Sequence, residues 1–138
     1  MAELLFVDTS GFYALLNRND EAHARMVSFL ESVREGGKRW ISTDYILDES
    51  ATLLMARGNP HLAKAILDLP EKSHALSIEW MDSDRFARTR TIFRKYLDQG
   101  VSFTDSFSFC IMQEYGLQKA LTKDHHFEIA GFNRLLPS

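Results

Sequence analysis

The sequence predicts an α/β fold with a mostly parallel sheet of four or five strands, and three observations carry that expectation. Leu4 to Val7 is an unbroken apolar run, which suits a strand covered on both faces rather than one with a wet side. Strand-like and helix-like segments then alternate along the chain. The linkers are short and no low-complexity tract interrupts them, so the 138 residues are expected to form one domain, 1–138.

After the first strand, helical spacing runs through Phe12, Leu15 and Leu16 until "NRND" breaks it. Ala22, Met26, Phe29, Leu30 and Val33 mark a second amphipathic helix, which "EGG" at 35–37 ends. Residues 40–42 read as a second strand. A helix over 45–56 follows, with Leu47, Ala51 and Leu54 on one face, and then a short helix over 61–69 that Pro70 is expected to stop. "ALSIEW" (75–80) is a third strand, and 82–97 is a long helix with Phe86, Phe93 and Leu97 expected to face inward. "SFTDSFSFCIMQEYG" (102–116) is a further helix, "KALTKD" (119–124) a fourth strand and "FNRLLP" (132–137) a fifth. Trp40 and Trp80 flank strands and are expected in or near the core.

A formal net charge of −3 argues against a protein that holds nucleic acid through bulk positive charge, while leaving room for a local basic surface. The opening "MAELLFVDTS" has neither a basic lead-in nor a long apolar run, so no secretory leader and no membrane span are expected. The single cysteine, Cys110, offers no internal disulfide and no CxxC pair. It lies among apolar residues and reads as core packing in a cytoplasmic protein.

The acids carry the chemistry. In open α/β sheets ligands bind at the carboxyl ends of the strands. Asp8 ends the first predicted strand and Asp124 the fourth. Glu49 lies in the helix leaving the second strand, and Asp105 opens the helix that leads to the fourth. Each alone also reads as a helix cap or a solvated acid. Gathered on one edge, however, like charges ~4 Å apart repel by about 1 kcal/mol in water and roughly 4 at an effective dielectric of 20. A hard divalent cation with oxygen ligands offsets that repulsion.

"VDTSGFYALL", "TDYILDES", "SFTDSFSF" and "LTKDHHFEIAGF" resemble, in order and with ordinary spacing, the four acidic motifs of PIN-domain nucleases, particularly the VapC-like toxins of toxin-antitoxin pairs. The resemblance implies an α/β/α sandwich and a Mg2+- or Mn2+-dependent endoribonuclease whose acidic quartet is Asp8, Glu49, Asp105 and Asp124. It also implies small polar neighbours at Thr9, Ser10, Thr104 and Thr122, an antitoxin partner, an RNA substrate and homodimerisation. Lys123 departs from the neutral residue expected beside the fourth acid and offers it a salt bridge. On this reading Asp8 and Asp105 ligate directly and Asp124 directly or through water. Glu49 holds or deprotonates the attacking water, and the products carry 5′-phosphate and 3′-hydroxyl ends.

Other chemistries find little in the chain. His125 and His126 adjoin Asp124 and invite zinc, but adjacent helical residues are expected to diverge and no HExxH is present. No GxSxG, Walker loop or GxGxxG appears. Asp44 reads as a helix cap and Asp48 as a solvated acid. Arg85, Arg88, Arg90, Arg94 and Lys95 form a basic band along one helix, either a solvated face or a track for RNA, with Arg88, Arg94 and Lys95 as the candidate contacts. Two rival functions stand beside the nuclease reading: a catalytically silent PIN-like module that binds RNA or protein, and a metal-dependent DNA nuclease or phosphohydrolase.

Overall fold

The computed structural model describes residues 2–137. Successive residues Leu5, Phe6 and Val7 are all buried, as are Trp40, Ile41, Ser42 and Thr43. Strands whose alternate side chains are both hidden must be covered on both faces, and helices supply the two outer layers of an α/β/α sandwich. The strands are β1 (Glu3–Val7), β2 (Lys38–Thr43), β3 (Leu76–Glu79), β4 (Lys119–Leu121) and β5 (Asn133–Arg134). All pair in parallel, in the order β3-β2-β1-β4-β5.

The helices are α1 (Thr9–Leu16), α2 (His23–Arg34), α3 (Asp44–Ala56), α4 (Pro60–Lys72), α5 (Ser83–Lys95), α6 (Phe103–Tyr115) and α7 (His126–Ile129). Among the described residues none is long and apolar enough to cross a membrane.

The strand order makes the site. From β1 the chain builds outward to β2 and β3 on one side, and later returns to lay β4 and β5 on the other. The order therefore reverses between β1 and β4, and a crevice opens beyond their carboxyl ends. Gly11 sets how closely that crevice is drawn. A Cβ built on it would lie 2.4 Å from the Leu121 carbonyl oxygen and 3.0 Å from Val7 Cγ1, so only glycine lets α1 press against the end of β4.

Several elements differ from the sequence reading. β4 stops at Leu121, so Asp124 lies three residues beyond the strand instead of ending it. The chain has turned by then, with Thr122 and Asp124 folded back on Asp8. Pro70 does not stop α4, which runs on to Lys72, because the proline ring fixes a helical φ and removes only one late hydrogen bond. Thr43, not Asp44, caps α3 through its side chain; Asp44 instead accepts the Met81 backbone N–H at 3.2 Å. In α5 only Thr89 is fully buried, while Phe86 and the following Leu97 are exposed and Phe93 rests on Phe103. That helix is an outer layer lying on α6. Trp40 is fully buried against Phe12 and Phe29, but Trp80 follows the edge strand β3 and stays 64% exposed.

Candidate metal centre

Asp8 stands at the N-cap position of α1, yet its carboxylate makes no capping bond. It is buried, and its Oδ2 accepts from Thr122 Oγ1 at 2.7 Å. Its Oδ1 is buried without any hydrogen-bond partner. A charged oxygen left so is expensive unless a cation completes it.

Ser102 caps α6 by accepting the Asp105 backbone N–H at 3.0 Å, which frees the Asp105 carboxylate to turn into the crevice, where it is buried. Asp124 is held from two sides. Its N–H donates to Thr122 Oγ1 at 3.0 Å, and its Oδ1 accepts the His126 N–H at 2.9 Å and lies 2.9 Å from His126 Nδ1. One carboxylate oxygen from each of Asp8, Asp105 and Asp124 lies within 4.8 Å of the others. Oxygens on an octahedral Mg2+ at ~2.1 Å stand about 3.0 Å apart when adjacent and about 4.2 Å when opposite, so the three would close inward onto a shared ion. Hard oxygen donors suit Mg2+ or Mn2+.

Glu49 is not in this group. It is largely exposed on α3, and Thr9 Oγ1 donates to its Oε1 at 2.5 Å, which holds it at the rim. Asp8, Thr9, Ser10, Glu49 and Asp124 line one cavity of about 460 Å³. Ser10 Oγ accepts the Lys123 N–H at 2.8 Å and sits 3.3 Å from Thr122 Oγ1. Since Thr122 gives its proton to Asp8, Ser10 is the donor in that last pair. Thr104 opens instead on a neighbouring cavity of about 340 Å³, which Glu49, Asp48, Tyr45 and Thr52 also line.

Burial drives the electrostatics. It raises the Asp8 carboxyl to about 6, against the pull of the Thr122 hydrogen bond and of the nearby Thr9 backbone N–H, and with help from the charges of Glu49 and Asp124. Asp105 is pushed well above the carboxylate range by burial, then by the Asp8 charge and a hydrogen bond with Asp124. For Asp124 burial also pushes upward, but the bond with Asp105, the His126 N–H and the nearby imidazoles outweigh it and hold the group low. Without a cation, the cluster keeps its protons on Asp8 and Asp105 into the mildly acidic range or above.

This chain matches the family model described as PIN domain over residues 5–133. The chain belongs to the PIN-domain family. This PIN domain is similar to the crystal structure of Mycobacterium tuberculosis VapC20, a sarcin-ricin loop cleaving toxin, with a TM-score of 0.82, 26% identity, and coverage of 96% of this chain and 99% of that one. It shares the fold of VapBC2 from Rickettsia felis, solved with a DNA fragment from the promoter, at a TM-score of 0.67, 10% identity, and coverage of 97% and 98%. Comparison with curated proteins gives no significant match.

Around the acids of this PIN domain, two expectations fail. Lys123 turns away from Asp124 and bonds Asp20 at 2.6 Å. His125 and His126 do not diverge; where the chain enters the four-residue α7 their rings lie 4.4 Å apart, tilted by 32°, and His126 braces Asp124. Tyr13, which the sequence offered as lining a groove, lies on the same cavity, and the sequence reading missed Asp20, Leu53 and Arg57 there. A signal existed: Glu49, Leu53 and Arg57 fall at i, i+4 and i+8 on one face of α3. The α5 band is partly neutralised. Arg85 bonds Glu79 at 2.8 Å and Glu114 at 2.8 Å, and Arg88 bonds Glu114 as well. Lys95 lies over the Tyr96 ring.

Proposed function

We propose that this PIN domain is a cytoplasmic Mg2+- or Mn2+-dependent endoribonuclease and the toxin half of a toxin–antitoxin pair. The observation that carries the metal reading is the buried, unpartnered Oδ1 of Asp8 beside two other carboxylates. The RNA and toxin readings rest on family membership and on the likeness to VapC20. The antitoxin partner follows from the toxin reading.

Asp8, Asp105 and Asp124 would hold the ion, the last directly or through water. A divalent cation there supplies charge relief to the phosphoryl oxygens and acidifies water. Glu49, oriented by Thr9, would accept the proton of the attacking water as its oxygen bonds to phosphorus. The phosphorus bond to the 3′-oxygen would break, that oxygen taking a proton from solvent water as Glu49 returns its own to solvent, and the strand ends would carry 5′-phosphate and 3′-hydroxyl. Ser10 and Thr122 keep the Asp8 and Asp124 carboxylates aimed.

Incubating the purified protein with matched single-stranded RNA and DNA, in Mg2+, Mn2+ or EDTA, tests this directly. RNA is cut only with metal, Asp8→Asn abolishes cutting, and Glu49→Gln slows it by about 10²–10⁴. Cutting that persists in EDTA or survives Asp8→Asn contradicts the reading, and cutting of DNA alone transfers it to the rival nuclease class.

A further inference from the structure

A negatively charged strand has to approach a cavity built around three carboxylates on a chain of net charge −3. Cations on the cavity wall must compensate, and the structure offers two. Lys123 is engaged with Asp20. Arg57, at the C-terminal end of α3, pairs with no carboxylate among the described residues. It is exposed, yet it is not loose. Its guanidinium carbon lies 4.8 Å from the Tyr13 ring centroid, and its Nη1 donates to the Tyr13 hydroxyl at 2.9 Å. The ring fixes the plane of the guanidinium and removes little of its charge. The other guanidinium N–H groups stay available, in the fork geometry that suits a phosphate.

The position fits the same reasoning. Arg57 follows Glu49 by two turns on one face of α3, roughly 12 Å of helix axis, and an arginine side chain leans back toward its helix N-terminus. Both residues line the one cavity that Asp8 and Asp124 enter. By contrast, Arg85 and Arg88 of the α5 band are consumed by Glu79 and Glu114.

We propose that Arg57, held on Tyr13, is a phosphate subsite for the RNA strand next to the scissile phosphate, so that the strand leaves the carboxylates along α3 instead of following α5. The subsite rests on the endoribonuclease reading and refines it by assigning the strand's path.

Anisotropy of a labelled mixed-sequence single-stranded RNA in EDTA, across a salt titration, reads binding apart from chemistry. Steady-state cleavage in Mn2+ reads KM and kcat. Arg57→Gln weakens binding roughly tenfold at low salt and flattens the plot of log affinity against log salt by about 0.7, the value for one phosphate contact on a single strand. It raises KM with kcat nearly unchanged, and Arg57→Lys retains the salt slope. Arg94→Gln with Lys95→Gln changes none of these. Should Arg57→Gln lower only the melting temperature, with salt slope and KM as in the parent, Arg57 is a structural tie between α1 and α3 and the subsite is wrong. A parent that cleaves no RNA removes the nuclease reading and the subsite together; a parent that cleaves, beside an unaltered Arg57 variant, removes the subsite alone.

Discussion

Thr122 joins the two strand ends of the centre through one oxygen, donating to Asp8 Oδ2 and accepting from the Asp124 backbone N–H. Replacing it with valine keeps the shape and removes both bonds. Thr122→Val is predicted to lower Mn2+ affinity by about 10–100-fold, as loss of an outer support does. Calorimetric titration of the metal-free variant checks this, and an unchanged affinity would mean that the hydroxyl orients nothing. Residue types at this scale were legible in part. The acids announced themselves because an Asp after an apolar strand has few apolar uses. Partners across the fold did not, since Thr9 to Glu49 spans 40 residues and Lys123 to Asp20 spans 103. Arg57 was overlooked because a lone arginine near a helix end has an ordinary C-terminal role.

At the scale of elements, the turn from β1 into α1 depends on Gly11. Gly11→Ala sets a methyl against a backbone carbonyl that no side-chain rotation can clear. It is predicted to destabilise by about 1–3 kcal/mol, read by denaturant unfolding, and to weaken the metal site by moving Asp8 from Thr122. Gly37→Ala, whose Cβ would meet only the Ser32 carbonyl oxygen at 3.7 Å, should stay within about 0.5 kcal/mol. A full loss at both glycines, or at neither, would remove the close approach as the cause. Alternating apolar runs and glycine stops revealed the order of the elements, because burial and turn chemistry are local. Where an element ends against another is not local. β4 is cut short by the turn that brings Thr122 to Asp8, Trp80 lies outside because β3 is the sheet's edge, and Phe86 is half-covered because α5 has one packing neighbour face.

Over the whole molecule, the proposed metal centre would couple folding to protons and cations. Asp8 and Asp105 have folded pKa values above their unfolded ones, so between the unfolded carboxylate range and those values the native state holds more protons. The stability they contribute is therefore lost as pH rises from about 4 through the Asp8 value of about 6, and for Asp8 alone the loss approaches about 3 kcal/mol. Glu114 acts oppositely. Its bond to Arg85 holds its pKa low, so its contribution is present at neutral pH and lost only in stronger acid. Metal-free protein should thus be most stable in mild acid. A cation bound as proposed would restore stability at neutral pH by mass action, about 2.7 kcal/mol at a hundredfold excess over its dissociation constant.

The most direct test is thermal unfolding of metal-free parent and Asp8→Asn across this pH range, with and without Mn2+. The account predicts a parent that loses stability above about pH 5 and regains it with Mn2+, beside a variant that is equally or more stable without metal and indifferent to it. A parent unmoved by Mn2+, with an Asp8→Asn protein that melts earlier at every pH, would contradict the claim that these carboxylates are assembled around a cation.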